Sequence, residues 1–225
     1  MRKILLILLM TVFAAGMFAQ EIEFSAGLGG VFSMSFTNYL LTQNGKDVYE
    51  AGGFNPDYLD RIQTGFGFFG FFDAVYFMAT IGFNFNDILP VNSDLQRARY
   101  DLNVKETLNE FSIGLFGKYP IDIGGGLNLF PILGFDFRIA LDYEYKMGGR
   151  RENDDKDAAE FFSTIWFKLG AGLDIPIADK IYLRTILMYG IGTNSKDQSP
   201  ILRTGEVSAI INHGFDIRLA VGYKF

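Results

Sequence analysis

The stretch VSAIINHGFDIRLAVGYKF, Val207 to Phe225, decides the fold class. Its odd-numbered row, Val207, Ala209, Ile211, His213, Phe215, Ile217, Leu219, Val221, Tyr223 and Phe225, is apolar at nine of ten positions. The intervening row holds Ser208, Asn212, Asp216, Arg218 and Lys224 among small residues. A strand sends successive side chains to opposite faces, so a period of two marks one dry face and one polar face.

Seven further segments carry the same pattern, at about 22–36, 64–72, 75–86, 109–119, 127–146, 161–175 and 181–193. Their apolar rows include Phe24, Leu28 and Phe32; Phe66, Phe68 and Phe72; Phe77, Ile81 and Phe83; and Phe111, Ile113 and Leu115. They continue with Leu133, Phe135, Phe137, Ile139, Leu141, Tyr143 and Tyr145, then Ile165, Phe167 and Leu169, then Leu183, Leu187 and Tyr189. No Asp, Glu, Lys or Arg falls on these rows. Either a soluble core or hydrocarbon imposes such a ban, and the connections separate the two. Those about Asp73, Tyr119 to Gly126 and Pro176 to Lys180 are short. Those at Thr37 to Ile62, Asp87 to Thr107, Met147 to Glu160 and Asn194 to Glu206 are long and polar. Strict alternation of long and short links belongs to membrane barrels, with short periplasmic turns and longer external loops. An even strand count lets the first strand pair with the last, which removes both edges. The expectation is an all-β, eight-stranded antiparallel up-and-down transmembrane barrel.

Composition agrees. The chain has 225 residues, 49% hydrophobic and 16% aromatic, with 26 Gly and 24 Phe, unlike a disordered or helical protein. It has no Cys, which excludes disulfides, thiolate metal sites and thiol catalysis, and a single His, which leaves little for zinc. Arg2 and Lys3, the apolar run Ile4 to Phe13, and Ala14, Ala15, Gly16 and Ala19 have the layout of a secretory signal peptide, expected at residues 1–19. The barrel domain is then 20–225. Loss of Arg2 and Lys3 changes 20 basic and 26 acidic residues to 18 and 26, a net charge of −8, which argues against nucleic acid as a partner.

With its eight strands, its loop alternation and its terminal Tyr223, Lys224 and Phe225, the chain resembles the small outer-membrane barrels of the OmpA-barrel, OmpX and OmpW group. Leu129 to Asp136 is also similar to a stretch in spirochaetal outer-membrane barrels. The resemblance implies an outer-membrane location in a Gram-negative-type envelope. It also implies contact with outer-membrane lipids, an assembly signal in Tyr223 and Phe225 read by barrel-assembly machinery, and external loops that can meet a host or surface ligand. Pro131 departs from the pattern because it cannot donate to a ladder, so it sits near the turn or bends the register. Gly70 could seat a bulge that swaps the faces of Phe69 and Phe71.

The inward row carries Glu23, Glu110, Asp136, Asp142, Glu144, Asp174 and Asp216 against Lys118, Arg138, Lys146, Lys168, Arg184, Arg218 and Lys224. The lumen of eight strands is just wide enough for side chains to fill it, so these charges must pair or stay hydrated. The ionic network is expected at Glu23, Glu110, Asp136, Arg138, Lys168, Arg184, Asp216 and Arg218. The same row holds Phe116, Phe130, Trp166 and Met188, candidates for a hydrophobic ligand pocket of the kind the resemblance to OmpW-like proteins implies. No catalytic residue, metal site or cofactor is expected. Enzymes on similar barrels use His with Ser, Asp or Glu, and the residue two after His213 is Phe215, so a nucleophile is missing. Gly65, Gly67 and Gly70 match a dinucleotide-binding spacing, but no helix pattern follows. Asp154, Asp155 and Asp157 lack the spacing of a calcium loop. The leading expectation is a non-enzymatic surface barrel that presents four external loops, for envelope structure and adhesion. The alternatives are an OmpW-like channel for small hydrophobic solutes and, less favoured, a lipid-modifying enzyme.

Overall fold

In a computed structural model, residues 23–52, 59–151, 163–193 and 207–225 are described; the signal-peptide expectation, Phe161, Phe162 and Asp154 to Asp157 lie outside them. The described strands are β1 (Phe24–Leu41), β2 (Arg61–Ala74), β3 (Phe77–Pro90), β4 (Lys105–Lys118), β5 (Ile121–Asp122) and β6 (Asn128–Met147). They continue with β7 (Arg150–Arg151), β8 (Thr164–Ala178), β9 (Ile181–Thr193) and β10 (Val207–Lys224). β5 and β7 are two-residue ladders against β6, which leaves eight long strands. Each long strand pairs antiparallel with its neighbours, β4 pairs with β6, and β1 pairs with β10, so the sheet closes into a ring. Closure leaves no long strand with a row of unpaired amides at an edge.

The alternation read from the sequence is the alternation of the wall. Leu28, Phe66, Phe68, Ile81, Leu115, Leu133, Leu187 and Leu219, from all parts of the ring, each expose more than half their surface. Exposed apolar side chains in a continuous belt would drive aggregation in water and are stabilised only in hydrocarbon. No helix among the described residues is long and apolar enough to cross a membrane; the strands do so.

The long strands run past their expected ends on the long-loop side, to Leu41, from Arg61, to Pro90 and from Lys105, because ladder hydrogen bonds continue where hydrophobicity stops. Two of the long loops also contain helices that the periodicity did not suggest. The first is α1 (Gln43–Ala51), capped by Thr42 Oγ1 accepting from the Gly45 amide at 3.1 Å. The second is α2 (Ser93–Asp101), capped by Asn92 Oδ1 accepting from Asp94 and Leu95. Each cap residue was a readable start signal.

Gly70 seats no bulge: the β1–β2 and β2–β3 registers are continuous there, and Phe69 and Phe71 point inward, each 4% exposed. Pro131 keeps its register with Ala171, at the fourth residue of β6, where the β4 ladder is ending; its carbonyl still accepts from the Tyr119 amide. Bulges occur elsewhere. Glu110 pairs with Ala140 and Asn109 with Asp142, so Leu141 is an extra residue and the faces exchange beyond it. Tyr143 therefore points inward, opposite buried Leu108, and Asp142 is exposed, the reverse of the expectation. A second shift pairs Leu40 with Ala209 and Leu41 with Val207, which leaves Ser208 as the extra residue and turns Val207 inside.

Candidate functional site

The lumen is filled in layers. At mid-barrel, β4, β6, β8 and β10 bring Glu110, Asp136, Arg138, Lys168, Asp216 and Arg218 into one cluster, every member at most 4% exposed. Lys168 joins Asp136 and Asp216, with its ammonium donating to both. Arg138 donates to Asp216 at 3.1 Å and stands 3.8 Å from Glu110. Arg218 donates to Asp216 at 3.3 Å and Asp136 at 3.4 Å. Glu110 accepts from Asn86 at 2.8 Å and Gln63 at 3.2 Å. Three carboxylates face three cations, so the cluster is neutral without a counter-ion. Breaking such a buried network leaves an uncompensated charge, costing about 3 to 5 kcal/mol.

Nearer the short turns lies a second cluster. Arg184 holds Asp174 through two parallel hydrogen bonds of 2.7 Å, the bidentate fork that guanidinium geometry favours. Arg184 also stands 2.6 Å from Asp73, which in turn meets Lys118 at 2.9 Å. Two acids again balance two bases. Asp73 was read from the sequence as part of a turn, because it adjoins the break between two apolar rows; the β2 ladder runs one residue past it and places it inside.

Aromatic rings separate and cushion the charges. Arg218 lies 5.3 Å from the Phe69 ring and 5.6 Å from Phe116. Arg184 lies 4.6 Å from Phe71 and 5.1 Å from both Phe130 and Tyr182, and Arg138 rests on Trp166 at 4.8 Å. Weakly hydrated guanidinium planes gain from ring faces once water is gone. The rings fit because glycines stand opposite them on the next strand: Phe130 faces Gly172 and Trp166 faces Gly192. A Cβ on Gly172 would lie 2.2 Å from the Phe130 ring, and one on Gly192 would lie 2.7 Å from Trp166.

The two residue sets expected separately are thus one structure. Of the ionic set, six members form the mid-barrel cluster, and Arg184 belongs to the second cluster. Glu23 corrects the expectation: it is exposed at the rim, 3.4 Å from Lys224, because it precedes the first residue of β1 and has no wall around it. Of the pocket set, Phe116, Phe130 and Met188 are packed into the core, while Trp166 lines a cavity of about 150 Å³ at the long-loop end with Arg138, Glu110 and Tyr39. Lys146 and Glu144, expected inward, form a partly exposed 2.6 Å ion pair beyond the Leu141 bulge. Tyr223 and Phe225 stand on the outer face as an edge-on ring pair 5.7 Å apart.

His213 is on the outer wall, stacked on Phe36 at 5.3 Å. Its Nδ1 shares a 3.2 Å hydrogen bond with the Tyr189 hydroxyl, and its Nε2 lies 3.1 Å from Asn38 Oδ1. Neither partner is a serine, and among the described residues no group of metal-ligating side chains could hold a metal ion.

A closed eight-stranded ring, a lipid-facing apolar belt and a packed polar interior define the class: this is a small membrane β-barrel of the outer-membrane type. No family model matches the sequence, and no curated protein sequence matches it. Among solved structures it is similar to Neisserial surface protein A (9% identity, TM-score 0.47, covering 89% of this chain and 99% of that one). It is similar also to the outer membrane protein AlkL (12%, 0.47, 92% and 91%). A third likeness is to the outer membrane protease OmpT from Escherichia coli (7%, 0.40, 93% and 100%). At such scores and identities the likenesses carry no weight for activity; the barrel is established by this chain's own strand pairings.

Proposed function

We propose that the protein is a non-enzymatic outer-membrane barrel whose plugged lumen makes it a rigid scaffold, with its short turns in the periplasm and its four long loops presented outside for envelope structure and surface adhesion. The observation that carries this reading is the neutral, ring-packed cross-section made by Glu110, Asp136, Arg138, Lys168, Asp216 and Arg218 with Phe69 and Phe116. A conduit would need an open path or an excess of one sign. A rigid wall favours loop presentation, since loops bind best when their ends are fixed. The solute-channel reading would require Phe116, Phe130 and Met188 to part, although each is at most 2% exposed. In planar bilayers the purified barrel is expected to give no steady unitary conductance, and loaded liposomes no uptake of small apolar solutes. Steady conductance or solute uptake would refute the scaffold reading.

A further inference from the structure

The cavity of about 150 Å³ at the long-loop end stands on the mid-barrel cluster, and that floor uses its hydrogen-bonding atoms unevenly. Glu110 takes Asn86, Gln63 and the approach of Arg138 all on Oε2, and no donor among the described residues meets its Oε1. Arg138 gives Nη2 to Asp216, while its Nη1 stands 3.8 Å from Glu110, too far for a hydrogen bond. The hydroxyls of Ser35 and Tyr39 and the side-chain oxygen of Gln63 likewise have no hydrogen-bond partner among the described residues. Unlike the enclosed oxygens of Asp73 or Nε of Arg218, these five atoms retain open surface, and all five residues line the cavity. Glu110, Arg138 and Ser35 are each at least nine-tenths buried, so the surface they keep lies inside the lumen. Buried polar groups are ordinarily paired; five unpaired ones converging from β1, β2, β4 and β6 make a binding surface.

We propose that this cavity binds a single neutral sugar ring presented from the long-loop side. Size sets the first limit: the volume is below the roughly 300 to 1,000 Å³ of sites for drug-sized ligands, so one small ring enters and a chain does not. The five atoms set the second. Glu110 Oε1 and Gln63 Oε1 only accept, Arg138 Nη1 only donates, and the two hydroxyls do either. Glu110 and Arg138 are neighbours, so the guest must offer a donor and an acceptor side by side. Every sugar hydroxyl is both, and a ring carries several next to one another; an amide or a carboxylate lacks the groups to answer all five. A free anion drawn to Arg138 would meet Glu110, and a cation the reverse. Ile88 and Ile210 give the wall an apolar part for the ring's C–H groups. Trp166 offers an edge, because Arg138 lies over its ring and Gly192 packs against it. The proposal deepens the adhesion reading and rests on it, since the floor stays in place only while the lumen is plugged.

The test uses Trp166, the chain's only tryptophan, which lines the cavity. The methyl pyranosides of glucose, galactose and mannose are titrated separately into the barrel in lipid vesicles while Trp166 fluorescence is followed. A saturable change is expected with at least one of them, and none with sodium phosphate or glycerol. The double variant Ser35→Ala with Tyr39→Phe removes two hydroxyls that make no hydrogen bond among the described residues. It should therefore keep heat-modifiable gel migration and weaken sugar binding by about tenfold. Absence of saturation with all three sugars would overturn the proposal, as would equal saturation with phosphate or glycerol, or unchanged affinity in the double variant. The two readings fail separately: a barrel silent in planar bilayers that binds no sugar keeps the scaffold and loses this site, whereas steady conductance removes both.

Discussion

The two charge clusters in this lumen are made of the same side-chain types and are both neutral, yet they sit in different surroundings. The mid-barrel cluster meets a cavity of about 150 Å³ through Glu110 and Arg138 and is otherwise packed, and each of its carboxylates accepts at least one hydrogen bond. The turn-side cluster is open along one edge, where Asp73, Asp174, Lys118 and Arg184 line a chamber of about 350 Å³. Charge balance therefore does not by itself make a plug. What seals the middle is the combination of multiple donors per carboxylate with rings on both sides of Arg218. Where an open chamber borders the charges, the same pairing stays within reach of water.

The largest effect that would sharpen this contrast comes from removing one carboxylate from each cluster. Asp216→Ala strands Lys168, Arg138 and Arg218 in a dry interior and should cost about 3 to 5 kcal/mol, measured by urea unfolding of the barrel in lipid vesicles. Asp73→Ala should cost less, because the chamber can hydrate Lys118 and Arg184 keeps Asp174. Equal losses would erase the distinction between the clusters. Next comes the outer wall, where charge has no partner at all: Leu187→Arg should cost about 2 to 4 kcal/mol in the same assay, and a neutral result would mean that this face does not meet hydrocarbon. Gly172→Val overpacks the seat of Phe130 between the two clusters and should cost about 1 to 3 kcal/mol, with the Phe130 ring resonances shifted. The smallest effect lies outside the lumen. Asn92→Ala removes two capping hydrogen bonds from α2 and should cost about 1 kcal/mol locally, seen as faster amide exchange at Asp94 and Leu95 with the barrel unfolding midpoint unchanged.

Much of this was legible in the chain. Rows such as Phe24 to Phe36 and Ile211 to Phe225 announce their faces because each residue's preference for lipid or lumen depends on its own chemistry and a fixed period. Loop lengths separated a short-turn end from a long-loop end. The inward charges Asp136, Arg138, Asp216 and Arg218 were visible for the same reason. Tyr143, Asp142 and Val207 were misfaced because a single extra residue, Leu141 or Ser208, reverses every side chain beyond it, and a bulge has no signature in period. Asp73 was missed because an acid beside a turn reads as solvated until the ladder is seen to enclose it.

By itself, then, the sequence determined the closed sheet and the apolar belt, both of which follow from counting and alternation, whereas the neutral sum of the enclosed charges needs Asp73, which only the ladder places inside. Only the tertiary structure decided that Asp216 meets Arg138 and Lys168 across 78 and 48 residues of chain while Asp73 meets Lys118 and Arg184 beside an open chamber. Partners inside a barrel are chosen by the registers of every ladder around the ring, a cooperative property that no single strand contains.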